Sequence, residues 1–247
     1  MAGFDFFRSP RAGFSPRTPA AALKAIGTGT LPVEHFIYAS ASAKPLDEEP
    51  FDLEEIERAT ARTDVTLETS LMLKRVLSKL IGSREQETAL FGAEGITALE
   101  TRALEKVQRL KAAPEEDRDH AGWRALAQAY FELAELHAEA ASVRTFYLRE
   151  AYACLREAGK RGKATLSDLT LAVDTLVALG LHAQADQVLD EAHAREDPAV
   201  TLLSARVAFH RRDYRRVAAC CRKLAAARGN LGEKEARIVA FWAGRDG

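Results

Sequence analysis

A recurrence of 32 residues in the C-terminal half constrains this chain most. Gly180-Leu181-His182 and Arg212-Asp213-Tyr214 read as matching bends, each closing a run with helical spacing. Beyond the first bend, Ala185, Leu189 and Ala192 alternate small and large side chains along one helix face. Beyond the second, Val217, Cys221 and Leu224 take the same three places. Residues three and four apart share a face, so each triplet marks a seam where another helix lies close. A period of this length describes two antiparallel helices that stack on the next pair. The expected fold class is all-α, with antiparallel helical hairpins stacked as a short solenoid.

A third, altered copy precedes these two. Trp123, Leu126, Ala127 and Tyr130 space its first helix, and Ala151, Leu155 and Ala158 its second. Tyr130 and Ala151 stand 21 residues apart, so this hairpin needs longer helices or a longer connection. Glu233 to Trp242 would add a last helix that closes the stack. From Trp123 to Trp242 the pattern resembles tetratricopeptide-type helical repeats, with departures at Arg212, Val217 and Leu224. The resemblance implies that the first helix of each hairpin lines a concave face. The residues on that face would be Arg124, Gln128 and Phe131, then Thr170, Asp174 and Val177, then Leu202, Arg206 and Phe209. Apolar anchors beside a few charges suit a protein partner that lays a peptide or helix in a groove.

Three regions follow from composition: residues 1–50, 51–118 and 119–247. The first holds six of the eight prolines and no sustained hydrophobic period, so it reads as disordered or extended, with room for a short helix at Pro19–Ile26. Phe4, Phe6 and Phe7 beside Arg8 and Arg11 read either as a docking peptide or as an untied terminus. Acids from Asp47 to Glu57 precede or open a helix beginning near Phe51, where negative charge favours the helix dipole.

In the second region, Leu73, Val76, Leu77 and Leu80 mark a buried stripe over about Leu67–Ile81, stopped by Gly82-Ser83. A longer helix, about Arg84–Ala112, carries the stripe Ile96, Leu99, Ala103, Val107 and Leu110. Gly92 and Gly95 predict the close approach of a neighbouring helix, and Pro114 with Glu115-Glu116-Asp117-Arg118-Asp119 predicts a polar loop. Glu94 is either an exposed acid or a buried one paired with Lys74 or Arg75. Ser70–Leu77 and Glu87–Ile96, followed by the repeats, resemble the cytoplasmic part of the E component of Pel-type exopolysaccharide systems. That resemblance implies assembly of a polysaccharide synthase complex and a peripheral association with a membrane complex. The family's N-terminal membrane helices have no counterpart in these residues, and no individual functional residue carries over.

Catalytic motifs are wanting, so no enzyme activity and no cofactor are expected. There is no phosphate-binding Gly-Lys-Ser/Thr loop, no His-Glu-x-x-His and no Cys-x-x-Cys, and the six histidines are scattered. A net charge of −1 argues against a global field for nucleic acid or membrane. Locally, however, residues 206–228 are basic, with Arg211, Arg212, Arg215 and Arg216 at their centre. Three readings stay open: a solvated face, a patch for an acidic protein segment, or a surface for nucleic acid or anionic lipid. Cys154, Cys220 and Cys221 form no disulfide framework and read as small packing residues in a reducing, cytoplasmic compartment.

Overall fold

The computed structural model describes residues 51–62, 65–192, 197–227 and 232–244. The expectations for residues 1–50, the side chain of Ala192 and Arg228 lie outside the described residues. Every regular element among those described is a helix.

The chain divides into two compact units, at Ala61 and Arg62. In the first, α1 (Leu53–Ala61) is the described helix. Asp52 caps it by accepting the Glu55 N–H at 3.0 Å, and Glu54 and Glu55 occupy its first turn, each 3.2 Å from Arg58. The acids near Phe51 thus do the local work expected of them at a positive helix end.

The second unit holds α2 (Leu67–Ile81), α3 (Gln86–Lys111), α4 (His120–Leu136), α5 (Ala141–Arg161), α6 (Leu166–Ala178), α7 (His182–Ala192), α8 (Pro198–His210), α9 (Tyr214–Ala226) and α10 (Glu233–Ala243). Each helix packs on the next. In addition α2 touches α4, α4 touches α6, and α6 touches α8, so the first helices of successive hairpins form a continuous row. That pattern is a stack of hairpins, solenoid-like in its connectivity. The α2–α3 hairpin packs on α4 and belongs to the same unit.

The two bends match bond for bond. Gly180 has φ +73° and Arg212 has φ +61°, both in the left-handed region. Gly180 N–H donates to Val177 O at 3.0 Å and Leu181 N–H to Leu176 O at 2.9 Å. Arg212 N–H donates to Phe209 O and Asp213 N–H to Ala208 O, both at 2.9 Å. This pair of bonds satisfies carbonyls that the helix end would otherwise orphan. Asp213 then serves the next helix as well, accepting the Arg216 N–H at 3.1 Å.

Packing follows the same register. Val173, Leu176, Ala185, Leu189, Val200, Leu203 and Val207 bury one cluster from α6, α7 and α8. Ala205, Ala208, Val217, Cys221, Leu224 and Val239 bury the next from α8, α9 and α10. Helix α8 therefore feeds two clusters from two faces, which is how a stack shares a core between neighbours. The altered hairpin has longer helices: α4 and α5 span 17 and 21 residues, and only residues 137–140 join them.

Between α2 and α3 the glycines act as the sequence requires. A Cβ on Gly92 would stand 2.7 Å from Leu77 O and 3.0 Å from Ile81 N, and one on Gly95 would stand 2.6 Å from Leu77 Cδ2. The loop after α3 is the polar, exposed one expected over residues 113–117, with one exception. Arg118 is buried there and donates to Leu110 O, Lys111 O and Ala113 O at 3.3, 3.3 and 2.6 Å. Its guanidinium also lies 4.5 Å from the centre of the Trp123 ring. A planar cation with several fixed donors can cap a helix end while stacking on an indole.

Candidate partner-binding groove

The nine residues assigned to the concave face separate into two groups. Thr170, Leu202, Arg206 and Phe209 come together on one cavity of about 670 Å³ between α6, α8 and α10. Arg124, Gln128 and Phe131 stand apart on α4. Arg124 Nε is 2.8 Å from Asp168 Oδ1, Gln128 donates to Glu132 at 3.1 Å, and Phe131 packs half-buried on the core of α4 and α5. Val177 packs half-buried on the α6–α8 core. Asp174 meets the cavity through its ion pair with Arg206.

The charges on this row of helices are therefore staples. Arg124 of α4 holds Asp168 of α6, and Asp174 of α6 holds Arg206 of α8, so the α4–α6 and α6–α8 joints each carry one Arg–Asp pair. Asp168 also accepts the N–H and the hydroxyl of Thr165, both at 2.7 Å, and lies 3.2 Å from His120 Nε2. Burial works against its ionisation, but the Thr165 bonds and the nearby His120 and Arg124 outweigh that and hold the carboxyl below its ordinary range. Burial pulls the Arg206 guanidinium below its usual range, and such a group keeps its charge regardless.

Helix α10 supplies a wall that sequence reasoning treated only as a lid. Glu235, Ile238 and Trp242 line the cavity. The signal was present, because one more step of 32 residues carries Arg206 to Ile238 and Phe209 to Phe241. Ile238 and Phe241 are 46% and 55% exposed, so the place that Arg206 holds on α8 is apolar on α10.

The basic stretch is not one face. Arg211 and Arg216 both reach the buried Asp186 of α7, Arg216 at 2.9 Å from Oδ1. The stacked rings of His182 and His210, 6.2 Å apart, adjoin this seam in sequence. Arg212 and Arg215 are exposed and have no carboxylate partner among the described residues.

A second cleft of about 1030 Å³ lies between α2 and the end of α4. On its wall Lys74 is buried, with Glu100 at 3.3 Å, Glu139 at 3.0 Å and the Leu136 carbonyl as partners. Lys74 thus closes the C-terminal end of α4, where a cation meets the negative end of the helix dipole. Glu94 is exposed and is not the partner of Lys74, in keeping with the first of the two readings weighed for it.

The described residues hold no group of three or more metal-ligating side chains and no helix long and apolar enough to cross a membrane. The three cysteines are free, and burial pushes the Cys154 thiol up to about 11. In comparisons with protein-family models, curated proteins and solved structures, nothing matches this chain.

Proposed function

We propose that this chain is a non-catalytic scaffold of the tetratricopeptide type, which binds a protein partner or peptide in the groove between α6, α8 and α10. The observation that carries the reading is the groove's lining: exposed Phe209 and Ile238 and half-buried Leu202 and Trp242 stand around one concavity. Side chains of this kind leave water favourably when a partner helix or extended segment covers them. The matched bends and the shared cores support a helical repeat, and the three free thiols suit a reducing, cytoplasmic setting. The resemblance of Ser70–Leu77 and Glu87–Ile96 to the Pel E component suggests exopolysaccharide or envelope assembly as the setting.

The test is co-purification of tagged wild-type chain and of a Phe209→Ser, Ile238→Ser variant from the source cells. The reading expects at least one stoichiometric protein with the wild type that the variant loses. Identical profiles, with the variant folded by circular dichroism, would remove the groove from the account. The second reading, nucleic acid or an anionic surface on residues 206–228, draws on Arg212, Arg215, Arg222 and Lys223, which lack carboxylate partners among the described residues. It requires binding that weakens steeply with salt.

A further inference from the structure

The corner where α8, α9 and α10 meet combines two features. The first is aromatic. Tyr214 and Trp242 stack with ring centres 5.7 Å apart and planes 11° apart, while Phe209 meets both edge-on at 6.0 and 6.2 Å. Phe209, Tyr214 and Phe241 are 49%, 48% and 55% exposed. Large apolar side chains clustered at a monomer's surface mark a contact site more often than chance.

The second is charge. Of the cations at this corner, Arg206 is engaged by Asp174, and Arg211 and Arg216 by Asp186. That leaves Arg212 and Arg215, which flank Tyr214 by two residues and one in the chain, exposed and with no carboxylate partner among the described residues. Asp213 between them is committed to the Arg216 N–H, and Glu235 on the opposite bank accepts the Gly232 N–H at 3.0 Å. Through Tyr214, which stacks on the groove-lining Trp242, the two arginines bring positive charge close to the Trp242 end of the groove.

We infer that the occupant is an acidic amphipathic segment of another protein, with aliphatic or aromatic anchors against Phe209, Ile238 and Trp242 and carboxylates on Arg212 and Arg215. This rests on the groove reading above and adds the chemistry of the partner. Guanidinium groups take carboxylates in a two-pronged geometry, which fixes register as well as adding affinity. A nucleic acid fits less well. Tyr214 and Trp242 already spend ring faces on each other, and a base against Leu202 and Ile238 would leave its polar edges unpaired.

The experiment is selection of random dodecapeptides displayed on phage against the full chain, followed by fluorescence anisotropy of the winners at low and high salt. The key variant is Arg212→Gly with Arg215→Gln. It removes both charges and places glycine at a left-handed position, so lost binding cannot be ascribed to a broken turn. The inference expects winners rich in Asp or Glu beside Leu, Phe or Trp, bound roughly two- to thirtyfold more weakly by the variant, the span of two exposed ion pairs. Winners without acidic residues that still need Phe209 and Ile238 would overturn the acidic partner and keep the groove. If no winner depends on Phe209 or Ile238, the groove reading falls and the inference falls with it. A fluorescent oligothymidine bound more tightly than any winner, and released by the variant, would assign the two cations to nucleic acid instead.

Discussion

Substituting Arg212 by glycine should stabilise this protein, although it deletes a charged side chain. Arg212 sits at φ +61°, a conformation that brings its Cβ too close to the following carbonyl. The cost for an L-residue with a side chain is about 1–2 kcal/mol. Glycine escapes it, but gives back about 0.4–1 kcal/mol through the greater freedom of its unfolded chain. The side chain itself adds nothing to offset this, being exposed and without a carboxylate partner among the described residues. The net expectation is a gain of about 0.5–1 kcal/mol, or roughly 2–4 °C in Tm at the upper figure for a unit of this size. Gly180→Ala is the mirror experiment. Gly180 has φ +73° with no atom within 4 Å of a built Cβ, so its cost is backbone strain alone, about the same size and opposite in sign. Urea denaturation followed by circular dichroism measures both, at unchanged slope. If Arg212→Gly destabilises, or if the two substitutions shift the midpoint in the same direction, the bends are not equivalent and the reasoning fails.

Three further outcomes follow from the packing and the charges. Gly92→Ala pushes a Cβ to 2.7 Å from the Leu77 carbonyl oxygen, which cannot yield without sliding α2 on α3, so urea titration should show a loss of about 1–3 kcal/mol. The folded-state pKa of Asp168 lies below its unfolded value, so its stabilisation is complete above about pH 4 and is lost as pH falls through the lower folded value. Asp168→Asn should therefore lower stability at neutral pH and flatten its acid dependence below about pH 4, and an unchanged acid limb contradicts the assignment. Cys154 is buried, with its thiol pushed up to about 11, so Ellman's reagent near pH 8 should leave it unlabelled in the folded chain and label it after denaturation.

Much of the architecture was legible because short-range physics writes it into adjacent residues. The stripe Leu73, Val76, Leu77 and Leu80 marked α2, and Gly92 with Gly95 marked the tight seam against α3. The bend at Arg212 was readable only by register with Gly180, since arginine carries no turn propensity of its own. The pairing of charges was not legible. Arg124 with Asp168, Asp174 with Arg206, and Arg216 with Asp186 are set by how hairpins lie on one another, which local spacing does not encode. For the same reason Arg118 looked like part of a solvated run, and its burial over Trp123 became visible only with the fold. The groove was half legible: Leu202, Arg206 and Phe209 were placed on it by the repeat, while Ile238 was missed by stopping the register one helix early and Trp242 lies off that register.

The stack itself is tested most directly by a charge-reversal cycle across α6 and α8. Asp174→Arg and Arg206→Asp should each lower stability, and the double substitution should restore most of the loss, with a coupling of about 0.5–1 kcal/mol for a partly exposed pair. Strictly additive losses in the double variant would mean that these two helices are not neighbours, and the hairpins do not stack as described.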